Sequence, residues 1–356
     1  MIQQRLATLY ELMIKHRLDG IIVTKPENRQ YFSGFTGSAG MLVISRTQAP
    51  RLLTDFRYVE QAKQQAALYQ IVRHGAVIYD SLAAAVKELE LTRIGFESDF
   101  ITWEIYQKLA NCLSEQKLSP VKLDGLRIVK DQTELAFLTK AVEIADSAFN
   151  QILPMIKPGI TELDIALELE YRMRRLGAEK PAFATIVASG VRSALPHGRA
   201  SDKIIEAGDF ITIDFGAVFA GYHSDMTRTV VAGTADARQR EIYKLVLTAQ
   251  LTGINAVKAG KTGREVDQAA REVIARAGYS DYFGHGLGHG VGLFIHEEPR
   301  LSPTGDIKLA AGMVVSVEPG IYLPGWGGVR IEDLVVVSAD GCKILTASSK
   351  DLIELG

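Results

Sequence analysis

The sequence predicts two domains: an α/β domain with a mixed sheet at residues 1–126, and an α+β domain with an internal pseudo-twofold repeat at residues 127–356. Three observations predict this arrangement. Helix-like and strand-like patterns alternate in the first third of the chain, the pattern changes near Leu123-Asp-Gly125, and the remainder contains two similar halves. A length of 356 residues with 47% hydrophobic residues is enough for two buried cores.

Composition limits the ligands that the protein can bind. The net charge is −2 with positive and negative residues intermixed, so no basic surface is expected for nucleic acid or an anionic membrane. Two cysteines, Cys112 and Cys342, are too few for a disulfide framework and are not spaced as a zinc site. No apolar run reaches the roughly 18 residues of a membrane helix. We therefore predict a cytoplasmic protein with a small ligand.

The first domain opens with a helix and then alternates strands with helices. Residues 2–18 place Leu6, Leu9 and Met13 at helical spacing, and Gly20 ends that run before an apolar strand. Glycine-rich turns follow at residues 33–38. Further predicted strands lie at 21–24, 41–45, 51–54 and 94–96, and helix-like patterns lie near 58–67 and 80–89.

Helices of the second domain carry recognisable start signals. Asp131 and Glu134 resemble a capping box at the head of a long amphipathic helix, which Pro154 should end. Two later helices share one cap chemistry, Thr161 with Asp164 and Thr262 with Glu265; Gly177 and Gly278 stop both at the same distance. This spacing predicts a duplicated helix.

Strand patterns repeat as well. Gly208 is followed by a strand-like run that ends in Asp214, and Gly312 is followed by a similar run that ends in Glu318. A second acid comes after each, Asp225 and Glu332, and each leads into a β-branched run. Two similar halves would bring these four carboxylates to the cleft where the halves meet.

Four carboxylates brought together in a low dielectric repel one another unless a cation lies between them. No run of Lys or Arg lies close to all four acids, so one or two divalent cations are the simplest neutraliser. A histidine ligand, for which His289 in the glycine-rich run 284–292 is our choice, would suit Mn, Co, Fe or Zn. The alternative for this run is a flexible loop or a phosphate cradle, although its spacing fits neither phosphate-binding motif.

The other histidines give weaker evidence for a functional site than His289 does. The run from His296 to Arg300 begins like a zincin motif, but it lacks the second histidine and contains Pro299. His197 lies on a turn-rich stretch and could equally be a surface residue. We interpret His223 as supporting the neighbouring Asp225 or simply as packed. A Gly-x-Ser-x-Gly elbow is absent, which disfavours a serine hydrolase.

These motifs together resemble the pita-bread metallopeptidases: methionine aminopeptidase, aminopeptidase P and prolidase, with creatinase as a metal-free relative. The resemblance covers essentially the whole chain. The stretch Tyr31–Ser38 and the stretch Thr54–Tyr58 resemble the creatinase/prolidase N-terminal domain, which methionine aminopeptidases generally lack. The catalytic motifs that carry the resemblance are Asp214-Phe-Gly, Ser224-Asp-Met-Thr-Arg-Thr229, Gly288-His-Gly290, Val317-Glu-Pro-Gly320 and Arg330-Ile-Glu-Asp333.

The resemblance implies two divalent ions, Mn, Co or Zn, with Mn the first choice. It assigns Asp214 and Asp225 to one ion, His289 and Glu318 to the other, and Asp225 and Glu332 to both. It further implies that Glu318 carries a proton to the leaving nitrogen. By the same resemblance, His197 and His296 line the substrate site and stabilise the tetrahedral intermediate. Arg330 lies two residues before Glu332 and could either anchor a substrate carboxylate or support the site, and Arg300 is a second candidate for the anchor.

The predicted function is therefore hydrolysis of the Xaa-Pro bond at the N-terminus of small peptides by a water activated between the two ions, an Xaa-Pro aminopeptidase. Three alternatives stay open: an Xaa-Pro dipeptidase, a broader aminopeptidase that also removes N-terminal methionine, and a non-catalytic binding module. The resemblance also implies a homodimer.

Overall fold

The structure, a computed structural model, describes residues 1–355 and forms two compact units, Met1–Arg127 and the chain from Ile128 onward. The first unit is built on a six-stranded mixed sheet in the order β4-β3-β2-β1-β5-β6. Its strands are β1 Gly20–Val23, β2 Met41–Ser45, β3 Arg51–Thr54, β4 Gln70–Arg73, β5 Arg93–Glu97 and β6 Lys117–Val121. Its helices are α1 Ile2–Lys15, α2 Pro26–Ser33, α3 Val59–Gln65, α4 Ile78–Glu88 and α5 Trp103–Cys112. The predicted α/β class with a mixed sheet is confirmed.

Two helices of this unit differ from the sequence interpretation. Helix α2 begins with Pro26 in its first turn and ends at Gly34, which adopts the left-handed conformation at φ 80°. Helix α5 begins after Thr102, whose hydroxyl accepts a hydrogen bond from the Ile105 N–H. Both had ordinary start signals, but neither helix was among those predicted.

The second unit contains the four long helices α6 Gln132–Ile152, α7 Glu162–Arg175, α8 Ala237–Ala256 and α9 Gly263–Arg276. Complete capping boxes start α6, α7 and α9, formed by the predicted pairs that begin with Asp131, Thr161 and Thr262. In each box the first side chain accepts from a backbone N–H of the first turn, and the acid reaches back to the cap residue. The predicted helix starts are therefore confirmed.

Strands of the second unit form two larger sheets, ordered β20-β12-β9-β8 and β14-β13-β15-β18-β19, with a small sheet β11-β10-β7 and a hairpin β16-β17. Their bounds are β7 Lys180–Pro181, β8 Ile186–Ser189, β9 Phe210–Phe215, β10 Ala217–Phe219, β11 Tyr222–His223, β12 Met226–Ala232, β13 Gly288–Gly290, β14 Glu297–Leu301, β15 Val314–Val317, β16 Gly320–Leu323, β17 Gly327–Arg330, β18 Asp333–Val337, β19 Cys342–Ile344 and β20 Glu354–Leu355. One apolar core lies between α6, α7 and the sheet that contains β9, and a second lies between α8, α9 and the sheet that contains β15. This is the predicted duplicated α+β arrangement.

The strand register refines the predicted repeat. Asp214 pairs with Thr227 across β9 and β12, and Val317 pairs with Asp333 across β15 and β18. Extending the second register by one residue places Glu318 opposite Glu332. The structural counterpart of Glu332 is therefore Thr227 and not Asp225, so the two pairs of acids are not equivalent by symmetry.

Candidate metal centre

The five predicted metal ligands lie at strand ends or in strands of the two larger sheets. Asp214 is in β9 and Asp225 directly precedes β12, while Glu318 directly follows β15 and Glu332 directly precedes β18. His289 is the middle residue of β13. Strands β9 and β12 are antiparallel, as are β15 and β18, so the end of the first strand in each pair lies beside the start of the second. Each sheet therefore carries its two acids at the same end of a strand pair.

All five side chains converge. Oxygen atoms of Asp214, Asp225 and Glu332 lie within 4.8 Å of one another. His289 Nε2 lies 3.6 Å from Asp225 Oδ2 and 3.4 Å from Glu318 Oε1. The structure therefore forms one continuous cluster of oxygen and nitrogen donors from the ligands that the sequence predicted.

Burial and mutual repulsion make this cluster costly as a set of bare anions. Burial raises the pKa of Asp225 and of Glu332 well above the ordinary range, and the neighbouring carboxylates raise both further. Burial also raises the pKa of Glu318, to about 7. A positive charge is therefore needed to keep these groups ionised at neutral pH.

Two carboxylate oxygens indicate the position at which a cation would bind. Asp214 Oδ1 and Glu332 Oε1 are buried and accept no hydrogen bond from any residue in 1–355. Buried acceptors are rarely left without a partner, because the lost hydration is expensive. Both orphaned oxygens belong to the three-carboxylate cluster, so the donor set fits a divalent cation.

His289 is suited to be a ligand in its neutral form. Burial lowers its pKa to about 3, so the imidazole is uncharged at neutral pH. Its Nδ1 lies 3.1 Å from Gly290 O; a proton on Nδ1 donates to that carbonyl and leaves the Nε2 lone pair facing the carboxylates. The backbone N–H of His289 donates to Ser316 Oγ, which itself donates to Glu318 Oε1.

Arg330 lies against the carboxylate cluster, as expected of a residue that supports the site. Its side chain is 3% exposed, and Nη2 donates to Asp214 Oδ2 at 2.8 Å. The other guanidinium nitrogens donate to Thr227 Oγ1, Tyr322 Oη and the Pro196 carbonyl. Arg330 also lines the cavity, so its role as an anchor of the substrate carboxylate stays a prediction.

Three supporting side chains were missed by the sequence analysis. Thr227 Oγ1 donates to Glu332 Oε2 at 2.7 Å and fixes that carboxylate. Tyr322 lies between Arg330 and His285, whose Nε2 is 2.9 Å from Tyr322 Oη. The sequence offered one signal, since His285 precedes His289 by four residues in the same glycine-rich run.

A cavity of about 780 Å³ opens beside the cluster. His197, His296 and Arg300 line its wall, and the rings of His296 and His289 are 4.5 Å apart between centroids. His223 lies elsewhere, with its Nδ1 3.3 Å from the Gly292 carbonyl. The predicted substrate-side histidines therefore share the cavity with the cluster, and His223 is packed behind it.

Residues 136–339 match the profile of metallopeptidase family M24, and residues 5–129 match that of the creatinase/prolidase N-terminal domain. The chain belongs to metallopeptidase family M24. Membership of this family makes the protein a metal-dependent peptidase. The cluster of carboxylates with His289 fits that activity.

Relatives of this M24 peptidase match along nearly its whole length. It is 42% identical to the Xaa-Pro dipeptidase of Pyrococcus furiosus over 99% of this chain and 100% of that protein. A structure of the Xaa-Pro dipeptidase from Bacillus anthracis shares 46% identity at a TM-score of 0.97, with both chains fully covered. The X-Pro aminopeptidase from Thermotoga maritima shares 40% identity at a TM-score of 0.90, over 95% of this chain and 98% of that one. The relatives thus include both dipeptidases and an aminopeptidase.

Helices in residues 1–355 are not suited to cross a bilayer, because none combines sufficient length with sufficient apolar content.

Proposed function

We propose that this M24 peptidase hydrolyses the Xaa-Pro bond of dipeptides at a centre for two divalent cations held by Asp214, Asp225, His289, Glu318 and Glu332. When bound, the cations supply Lewis acidity and an activated water at neutral pH. We take Mn²⁺ as the first metal to test. The homodimer and the cytoplasmic location stay predictions, and sedimentation analysis tests the first.

The observation that carries the proposal is the placement of Arg300. Its side chain lines the cavity on the same strand face as His296, and it has no carboxylate within ion-pair distance in residues 1–355. An uncompensated guanidinium at the wall of a peptide-sized cavity fits a substrate carboxylate, which it can bind through two parallel hydrogen bonds. In a dipeptide that carboxylate is next to the scissile bond, on the proline itself.

Protein groups around the cavity have separate tasks in this proposal. His296 and His197 donate N–H groups to the carbonyl oxygen as negative charge develops on it. Glu318, which lies on the cavity wall beside His289, moves a proton to the proline nitrogen as that nitrogen leaves. The Xaa-Pro nitrogen carries no hydrogen, so the site needs no acceptor for one.

A second candidate is the Xaa-Pro aminopeptidase predicted from the sequence. The cavity volume of about 780 Å³ favours it, because such a volume is in the range that holds drug-sized ligands, well beyond a dipeptide. Substrate length therefore decides between the two.

The test compares Ala-Pro, Ala-Pro-amide, Ala-Pro-Ala-Ala and Met-Ala-Ala on metal-loaded protein, with products identified by mass spectrometry. A dipeptidase cleaves Ala-Pro and spares the other three. Release of alanine from the tetrapeptide at a comparable kcat/KM supports the aminopeptidase, and release of methionine supports the broader specificity. No cleavage with Mn²⁺, Co²⁺ or Zn²⁺ would overturn the proposal.

Arg300→Met separates the two candidates within the protein. We expect it to lower kcat/KM for Ala-Pro about a hundredfold, because the charge pair with the substrate carboxylate is lost. Arg264→Met, which removes an exposed arginine on α9, is the matched control and should change little. If Arg300→Met leaves Ala-Pro turnover intact, Arg300 does not read the carboxylate.

A further inference from the structure

A buried ion pair lies directly behind the cavity wall. Lys130 Nζ donates to Glu297 Oε2 at 3.0 Å, and the two side chains are 1% and 5% exposed. Lys130 Nζ also donates to the Ile128 carbonyl, and the Lys130 N–H donates to the Gly312 carbonyl. An ion pair this deeply buried is weak support for stability, because desolvation offsets its attraction. The pair does, however, hold Lys130 and Glu297 in one fixed geometry.

Glu297 begins strand β14, whose successive side chains point to opposite faces. Glu297, Pro299 and Leu301 are buried, whereas His296, Glu298 and Arg300 are exposed. His296 and Arg300 on the outer face line the cavity. The inner face is held at one end by the ion pair and at the other by Leu301 in the apolar core.

The same carboxylate also fixes the turn that links His289 to His296. Glu297 Oε1 accepts from the Phe294 N–H at 3.2 Å, and the Gly292 N–H donates to the Phe294 carbonyl. A Cβ at Gly292 would lie 2.5 Å from Glu297 Oε2, so a larger residue there would displace the carboxylate. The Gly292 carbonyl accepts from the His223 N–H, two residues before Asp225.

We propose that the Lys130–Glu297 pair is a positioning device that fixes His296 and Arg300 against the substrate. Neither Lys130 nor Glu297 lines the cavity, so the pair acts through the strand and the turn that it holds. This inference rests on the proposed function, since it assumes that His296 and Arg300 face the substrate.

The main test is a double-mutant cycle between Glu297→Gln and His296→Ala with Ala-Pro as substrate. Glutamine keeps the size of the side chain and an oxygen for the Phe294 N–H, but it removes the charge that holds Lys130. We expect Glu297→Gln alone to lower kcat/KM by about tenfold to a hundredfold, as small misplacements of catalytic groups do. In the His296→Ala background we expect the further loss to be smaller, since only Arg300 is then left to position.

Two more variants separate positioning from folding. Lys130→Met with Glu297→Met replaces the pair by apolar side chains and should keep the unfolding temperature, yet lose turnover, because the Phe294 N–H loses its acceptor. Lys130→Arg keeps the charge and should retain most activity. Lys203→Met, which breaks the partly buried pair with Asp209 away from the cavity, is the control and should keep wild-type turnover. Metal content and the unfolding temperature are measured for every variant.

Equal losses from Glu297→Gln in the wild-type and His296→Ala backgrounds would overturn the inference, because a general structural defect is additive. A stable and fully active double-methionine variant, or a fully active His296→Ala protein, would overturn it as well. Failure of the proposed function would give a different result from failure of this inference, because the wild-type protein would then cleave no Xaa-Pro dipeptide.

Discussion

Arg330 connects polar groups from several elements around the carboxylate cluster. It donates to Asp214, Tyr322, Thr227 and the Pro196 carbonyl, and Thr227 in turn donates to Glu332. A planar guanidinium can serve all these acceptors at fixed angles, whereas a lysine ammonium acts as a single point charge. Two of the predicted ligands therefore take their orientation from one arginine.

Arg330→Lys should accordingly weaken metal binding. We expect about a tenfold to hundredfold loss of metal affinity, as is typical when a partner that orients a ligand is removed. Competition with a chelating dye measures the affinity without reference to turnover. Arg264→Lys provides the control, because Arg264 is exposed and pairs with Asp306 and not with the cluster. An unchanged metal affinity would show that Asp214 and Glu332 are oriented without Arg330.

The convergence of the five proposed ligand residues could be predicted from the sequence, because each lies in a short motif that resembles those of the family. The roles of Thr227, Tyr322 and His285 could not. Arg330 reaches Tyr322 because β16 and β17 form a hairpin that pairs Gly320 with Arg330 and Tyr322 with Gly328. Which donors of an arginine are already occupied depends on such contacts, and no motif records them.

At the scale of elements, cap chemistry predicted helix starts well because the cap and its partner are only three residues apart. Helices α6, α7 and α9 begin where the cap residues indicated. The offset between the second strands of the repeat could not be predicted, because it depends on register across the sheet. The sequence echo aligned Asp225 with Glu332, and pairing aligned Thr227 with Glu332 instead.

Thr262→Ala tests the cap of α9. The threonine hydroxyl accepts from the Glu265 N–H, and Glu265 accepts from the Thr262 N–H. We expect the free energy of unfolding to fall by about 1 kcal/mol, the usual effect of losing an N-cap side chain. Urea titration measures it, and Thr262→Ser, which keeps the hydroxyl, is the control. Equal stability of the two variants would mean that the cap contributes nothing here.

Helices α7 and α9 occupy equivalent places in the repeat but differ on their outer faces. Exposed apolar residues Leu163, Leu167 and Tyr171 follow one stripe of α7, and polar residues stand at the matching positions of α9. Those α9 residues are Arg264, Gln268 and Glu272. The internal repeat thus supplies a natural set of polar replacements.

Transferring the three α9 residues to α7, as Leu163→Arg, Leu167→Gln and Tyr171→Glu, should change stability little. Exposed side chains away from special contacts usually alter the free energy of unfolding by less than about 0.5 kcal/mol each. Thermal unfolding and Ala-Pro turnover check this, with the buried Leu169→Gln as the destabilising control. A fall of more than a few degrees in the triple variant would show that the stripe is covered in solution.

At the scale of the whole molecule, the small net charge of −2 conceals a local concentration of negative charge. Asp225, Glu318 and Glu332 all have pKa values raised by burial, and Arg330 only partly offsets their repulsion. Folding therefore costs free energy at neutral pH unless a cation binds. The fold is one that a bound metal should stabilise.

Removing the metal should make stability depend on pH in a definite direction. A carboxyl whose pKa is higher in the folded than in the unfolded protein binds more protons when folded, so folding stability falls as pH rises between the two values. For Glu318 this window runs from its ordinary value to about 7. We expect the unfolding temperature of chelator-treated protein to fall across this window by more than that of Glu332→Gln, in which one repelling charge is absent.

Adding Mn²⁺ at pH 7.5 should restore the stability lost across this window. A ligand present at a hundred times its dissociation constant stabilises the folded state by about 2.7 kcal/mol, or roughly 5 to 10 °C in a unit of this size. Glu332→Gln should gain less, because one ligand oxygen with negative charge is gone. Differential scanning calorimetry with and without metal, at pH 5 and at pH 7.5, gives the four unfolding temperatures of each protein. A metal-free protein as stable at pH 7.5 as at pH 5, with no gain from Mn²⁺, would mean that the carboxylate cluster neither repels itself nor binds the ion.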